Sequence, residues 1–150
     1  MTISYDFDVI AWANEQAAFI RAGRFDLLDI EHIADEIEDV GRSEHREFKS
    51  RMAVLLAHLL KWHYEPERRV TGNSWLFTIN GQRKEIHRCL VKHPSLKPNL
   101  NDSEWWESVW LDARRQAENE TGIMDTFPDT CPWSTDQVLG DWFPEGRSAT

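Results

Sequence analysis

An apolar seam in helical phase between Ile30 and Leu59 limits what this chain can fold into more than any other feature. At about 100° per residue, Ile30, Ile37, Gly41, Phe48, Met52, Leu55 and Leu59 fall in one sector of the helical wheel. Gly41-Arg42-Ser43 resembles a break, with Ser43 as a fresh cap. Two separate helices, however, would have no reason to keep one register across it. The spacing therefore predicts a single helix from about Asp29 to His63, with room for a bend at Gly41, where the missing side chain can admit a neighbour. Asp29 is a good N-cap, and Leu28 before it pairs with Ile33 in the arrangement of a hydrophobic staple. Such a helix is about 50 Å long at 1.5 Å per residue. That is long for a 150-residue chain, so part of it is expected to pack on another subunit or on the chain ends.

The remaining pattern is helical too. From Phe7 to Ala22, residues Ile10, Ala13, Ala17 and Ile20 share a helical face, and Gly23 supplies a stop. Ile30, Ile33, Ala34 and Ile37 are expected to form the buried stripe of the next segment. Asn73 or Ser74 caps a third helix with Trp75, Ile79, Ile86 and Leu90 inward and Arg83, Lys84 and Arg88 in solvent. It ends at His93, because the ring of Pro94 disfavours helical geometry in the residue before it. A fourth helix, about Ser103 to Thr121, turns Trp106, Val109, Trp110, Ala113 and Ala117 inward and stops at Gly122. The tail from Phe127 onward has too many prolines for a long helix, although Ser134 caps a short one. The expected fold is an all-α bundle of about four main helices in a single domain, residues 1–150, with one long central helix and an irregular Pro-rich C-terminal tail.

Composition excludes several classes of function. A formal charge of −9 opposes binding to a phosphate backbone, which needs clustered Lys and Arg, and opposes an anionic membrane surface. No apolar run approaches the roughly 18 residues of a spanning helix, and the N-terminus lacks the basic and apolar parts of a signal peptide. Eight tryptophans argue against disorder. Cys89 and Cys131 form no CxxC, and reduced thiols in the cytoplasm are the expectation.

Three stretches, "RFDLLDIEHIADEIEDVGRSE", "LLAHLLKWHYEPE" and "ETGIMDTFPDTCPWSTDQVL", together resemble the bacterial family known as domain of unknown function 29. The resemblance runs over roughly residues 5 to 143. It implies an all-helical fold in a bacterial cytoplasm and implies no activity. Family-like positions are Glu36, Glu38, Gly41, His58, Lys61, Trp62, Pro66, Thr130, Cys131 and Pro132. His45 and His63 fall outside that pattern.

Candidate chemistry centres on histidines of the long helix. His45 and His63 lie in its apolar sector, and His58 lies on the flank beside Val54 and Arg51. His58 and His63 are five apart, so they diverge by more than 90° and cannot both bind one metal from a straight helix. His58 is expected to bond a neighbouring carbonyl or carboxylate, and His63 to fray into solvent. His32, Asp35, Glu36 and Asp39 have spacings of three and four, suited to a divalent cation or to a solvated acidic face. Glu36 and His58 share one helix about 33 Å apart, so a metal could join them only across a subunit contact. Glu44-His45 interrupts the seam between Gly41 and Phe48. Either this level opens to solvent or a partner helix supplies Arg83, Lys84 or Arg88.

Cys131 between Pro128 and Pro132 carries no catalytic signature, and a packed thiol is the expectation. Lys61, Arg68 and Arg69 beside Trp62 and Tyr64 could hold a nucleic acid. Given the negative charge, the aromatics are expected to close the bundle end and the arginines to pair with acids. No phosphate loop, serine elbow or dinucleotide fingerprint is present. No cofactor and no catalytic residue are indicated. The expected role is a self-associating interaction or structural module, a homo-oligomer with protein partners possible and neither nucleic acid nor membrane as ligand. The second reading is a small metal- or ligand-binding bundle using His58 with carboxylates from another helix or subunit.

Overall fold

The computed structural model describes residues 2–69 and 73–145. Five α-helices follow in order: α1 (Val9–Arg21), α2 (Ile30–Tyr64), α3 (Asn73–Lys92), α4 (Ser103–Thr121) and the short α5 (Thr135–Leu139). Three 3-10 turns, Phe25–Leu27, Pro66–Arg68 and Pro94–Asn101, lie between them, and no strand occurs among the described residues. The fold is all-α with one dominant helix. α2 is unbroken through Gly41, so the shared phase of its apolar residues does mark one helix. Among the described residues no helix is long and apolar enough to cross a membrane. By contacts the chain divides into two compact units, Met1–Glu44 and His45–Thr150.

In the first unit, the Asp8 side chain accepts from the Ala11 N–H at 3.1 Å and caps α1, and Gly23 takes the left-handed φ of 72° that follows the helix end. The inward face of α1 is not the expected one. Trp12 and Gln16 are buried, whereas Ile10 and Ala13 are exposed and Ile20 is largely so. The reason is polar. The Trp12 indole donates to Asp29 Oδ2 at 3.0 Å, and Gln16 Oε1 accepts the Asp29 N–H at 2.8 Å. These two bonds turn the helix so that its amphipathic side chains, and not its aliphatic ones, meet the start of α2. Asp29 holds the N-cap position, its carbonyl accepting from the Ile33 N–H at 3.0 Å. The stripe expected to be buried beyond it is also mostly uncovered. Ile33 is half-buried, but Ala34 is exposed, and Ile30, Ile37 and Val40 are 69%, 67% and 66% exposed.

The second unit contains the core. Phe48, Met52, Leu55, Leu56, Leu59 and Leu60 of α2 are fully buried against Ile79 and Ile86 of α3 and Val109, Trp110, Ala113 and Ala117 of α4. The cap region of α3 lies at the edge of the described residues. Its end is set at His93, which leaves helical geometry (φ −129°, ψ 77°) before Pro94. The "PSLKPNL" link to α4 coils into a 3-10 turn that buries Leu96. α4 begins behind Asp102, whose side chain accepts from the Glu104 N–H at 3.0 Å, and ends at Gly122 with φ 74°. α5 has a reciprocal capping box between Ser134 and Gln137.

The tail is held by α3 and α4. The Trp110 indole donates to the Pro128 carbonyl at 2.8 Å, and Arg114 bridges the same carbonyl and Asp129. Arg83, expected in solvent, is buried instead. Its Nε donates to the Val138 carbonyl at 2.8 Å, and its second nitrogen donates to the carbonyls of Gln137 and Trp142. The guanidinium also sits 5.0 Å from the centre of the Phe143 ring. The expectation of a solvent-exposed Arg83 fails because the carbonyls of Gln137, Val138 and Trp142 in the tail draw it inside. Lys84 and Arg88 remain exposed as expected.

Replacing Arg83 by Met keeps the apolar stem and removes every donor. With charge-assisted bonds worth about 1.5–3 kcal/mol each and partly compensated by water, Arg83→Met should lower unfolding stability by about 2–4 kcal/mol. Denaturant melts check the magnitude. Hydrogen exchange should show the faster opening concentrated in residues 135–143.

Candidate functional site

The polar side chains of α2 separate into two groups, one in each unit. In the second, His58 Nδ1 donates to the Val54 carbonyl one turn back at 2.8 Å, which leaves Nε2 with its lone pair free to accept from Lys61 Nζ at 3.3 Å. Lys61 is 5% exposed. It forms an ion pair with Glu120 of α4 and lies 5.6 Å from the Trp75 ring centre. Burial pushes the His58 pKa down; the nearby Lys61 charge adds to this, while the bond to Val54 and the charge of Glu120 oppose it. The result is a neutral imidazole with its tautomer set by the backbone. A metal approaching Nε2 would have to displace the Lys61 ammonium.

The neighbouring candidates are packing groups. The Trp62 ring meets Phe143 at 4.9 Å and carries the Arg69 guanidinium at 5.0 Å, and Arg69 Nε donates to the Trp62 carbonyl at 2.6 Å. Arg69 therefore pairs with an aromatic ring and a carbonyl rather than with an acid, whereas Arg68 does pair with Glu65 at 3.1 Å. Tyr64 closes on Phe127 at 5.0 Å. His63 does not fray into solvent. It is half-buried, edge-on to Tyr64 and Trp133, with Nδ1 buried and without a partner among the described residues. Rings from the tail cover this helix end, which the helical wheel of α2 alone could not show.

His45 is exposed despite its place in the apolar sector, with the Asn99 side-chain nitrogen 3.3 Å from its Nδ1. Glu44 beside it is half-buried. Of the donors considered for this level, Arg83 is used on the tail and Arg88 on Glu85 at 2.8 Å.

In the first unit, Tyr5 organises the acidic side of α2. Its hydroxyl donates to Glu36 Oε1 at 2.5 Å, and its ring stacks on His32 at 4.1 Å and 10°. Trp12 packs edge-on to Tyr5 at 4.8 Å. His32 Nδ1 lies 2.7 Å from Asp29 Oδ2. The Tyr5 pKa is pushed up to about 12, first by the bond to Glu36, then by desolvation and the charges of Glu36, Asp39 and Asp35. Asp39 and Glu38 accept from Arg42. The acidic cluster is thus divided between a tyrosine, a histidine and an arginine. Among the described residues, no group of three or more His, Cys, Asp or Glu side chains gathers as a metal site would. Tyr5 escaped the sequence reading because it precedes the first helix and lies 31 residues from its partner.

A cavity of about 440 Å³ opens beside Cys131, between the start of α4 and the loop before α5. Leu100, Trp106, Glu107, Thr130 and Trp133 are among its walls. The Cys131 thiol is directed at the Trp133 carbonyl at 3.6 Å. Burial pushes its pKa up, opposed by that bond, so at neutral pH it is a protonated, packed thiol rather than a nucleophile.

These positions can be set against known proteins. The family described as "Domain of unknown function DUF29" matches residues 4–143. The chain is a DUF29 protein. No curated protein and no solved structure matches it. In this DUF29 chain the family-like residues occupy both units. Glu36 receives the Tyr5 hydroxyl, His58 and Lys61 form the chain to Glu120, and Thr130 and Cys131 line the cavity.

The Asp29–His32 pair makes the first unit sensitive to pH. The bond to Asp29 raises the His32 pKa, and the bond to His32, aided by Trp12, lowers that of Asp29. A raised histidine stabilises fully below its ordinary value, and that contribution is lost as pH rises through the raised one. The lowered carboxylate contributes above its ordinary value and loses its share as pH falls through the lowered one. The contact is therefore strongest in mild acid, between the two ranges. NMR titration should place His32 above an ordinary histidine, and Asp29→Asn should bring it down. An unchanged His32 titration in that variant would show that Asp29 is not the cause.

Proposed function

We propose that this chain is a self-associating helical module of the cytoplasm, assembled through the apolar face of its N-terminal unit. The observation that carries the reading is the uncovered seam of α2. Ile30, Ile33, Ile37 and Val40 recur at the alternating three- and four-residue spacing of a coiled-coil seam, and three of the four are about two-thirds exposed. Phe7, Ile10 and Phe25 of the same unit are exposed as well. Exposed apolar side chains in such number on one small unit favour an interaction site. A Cβ built on Gly41 would meet nothing within 4 Å, so the bare backbone beside Val40 is open to close approach.

The charge pattern supports a second copy running antiparallel. Glu31, Asp35, Glu38 and Asp39 precede Arg42. A parallel, in-register pair would set two acidic runs side by side. An antiparallel pair brings the arginine of each copy toward the acidic start of the other. Burying the three exposed side chains of each copy yields about 1.5–3 kcal/mol per side chain. For a pair this is of the same order as the roughly 4–15 kcal/mol that association costs, which supports reversible, concentration-dependent association. Cys89 and Cys131 form no disulfide with each other, which suits a reducing compartment, and the −9 charge suits protein partners better than nucleic acid.

Sedimentation velocity over the widest attainable concentration range should show self-association. Ile37→Asp should abolish it while leaving helicity intact, since Ile37 has no core contact to lose. A wild-type chain that stays monomeric at the highest concentration would overturn the proposal. So would an assembly indifferent to both Ile30→Asp and Ile37→Asp.

A further inference from the structure

We propose that the cavity beside Cys131 binds a small organic ammonium ion. Its volume of about 440 Å³ lies within the range of roughly 300–1,000 Å³ common for small-molecule sites. Two indoles, Trp106 and Trp133, contribute to its walls. The Trp106 N–H is already spent on the Leu100 carbonyl at 2.8 Å, so what this ring offers a ligand is π surface. Its position is set by that bond and by the edge of Trp105 at 5.0 Å. Trp133 packs against Trp110 at 5.6 Å and Trp142 at 5.7 Å. Both rings are in place before any ligand arrives, and fixed indoles are the surfaces that attract a quaternary or substituted ammonium.

The electrostatics of the walls agree. Among the described residues, Glu107 is the only carboxylate lining the cavity, and no Lys, Arg or His lines it. Glu107 has no ion-pair partner among the described residues. A carboxylate left unpaired beside two indoles favours a cation over a neutral or anionic guest. The positive end of α4 also opens here and would favour an anion. That tendency is met by Asp102, whose carboxylate takes the Glu104 N–H, and by the charge of Glu104 in the first turn. The hydroxyl of Thr130 on the wall can accept from an N–H of a primary or secondary ammonium or donate to an oxygen on its substituent.

Choline, its uncharged isostere neohexanol, in which carbon replaces the nitrogen, and acetate as an anion are the probes. The full chain, labelled with nitrogen-15, is titrated with each while the indole N–H resonances are followed. Choline is expected to shift the Trp106 and Trp133 signals and to bind several-fold more tightly than neohexanol, the margin that a solvent-accessible cation–π contact provides. Glu107→Gln, a surface substitution that leaves the rings in place, should weaken choline several-fold and leave neohexanol unchanged. Trp133→Leu should abolish the choline response, and helicity measured alongside confirms that the unit still folds. No shift with choline, equal affinity for neohexanol, or tighter binding of acetate would each overturn the proposal.

Discussion

The single helical phase of α2, fixed from Ile30 to Tyr64, constrains both units. The 35 residues of α2 keep one unbroken hydrogen-bond ladder through Gly41, so the apolar face cannot be turned inward at one end without keeping its phase at the other. From Phe48 onward that face is completely covered by α3 and α4. Before Gly41 the same face continues, and the short α1 contributes only Trp12 and Gln16 as buried partners. Within the first unit Ile30 and Ile37 stay exposed because α1 turns Trp12 and Gln16, and not its aliphatic side chains, inward.

The two units solve the problem of polar groups near apolar ones differently. In the first, neutral and charged partners meet at a partly solvated surface. Tyr5 on Glu36 and His32 on Asp29 are contacts in which exposure keeps each carboxylate inexpensive to charge. In the second, ionised side chains are buried and therefore supplied with several partners at once. Lys61 has a carboxylate, an imidazole nitrogen and a ring; Arg83 has three carbonyls and a ring. A buried cation with one partner would be destabilising, and neither is left in that state.

What could be read in advance was what depends on local chemistry. The range of α4, the Ser134 cap and the continuity of α2 follow from caps, glycine stops and phase, each decided within a few residues. What could not be read depends on who covers whom. Ile10 and Ile37 look buried on a helical wheel and are exposed, because a wheel shows a preference and no neighbour. Arg83 looks exposed and is buried, because its partners lie 54 to 59 residues away. His58 was expected to bond a nearby carbonyl or carboxylate and bonds Val54, a local contact. The cavity between Trp106 and Trp133 had no linear signature, since its walls come from two segments more than 20 residues apart.

The order in which the second unit is completed also matters while the chain is being made. Arg83 on α3 leaves the ribosome well before residues 137–142, whose carbonyls it will hold. Until those residues emerge, its guanidinium and the apolar floor under Val138 and Phe143 face water. The bundle of α2, α3 and α4 is then a growing chain with one wall missing, and such exposed surface is where chaperones and misassembly compete with folding. A closing segment of barely ten residues thus times the moment at which this unit stops being adhesive.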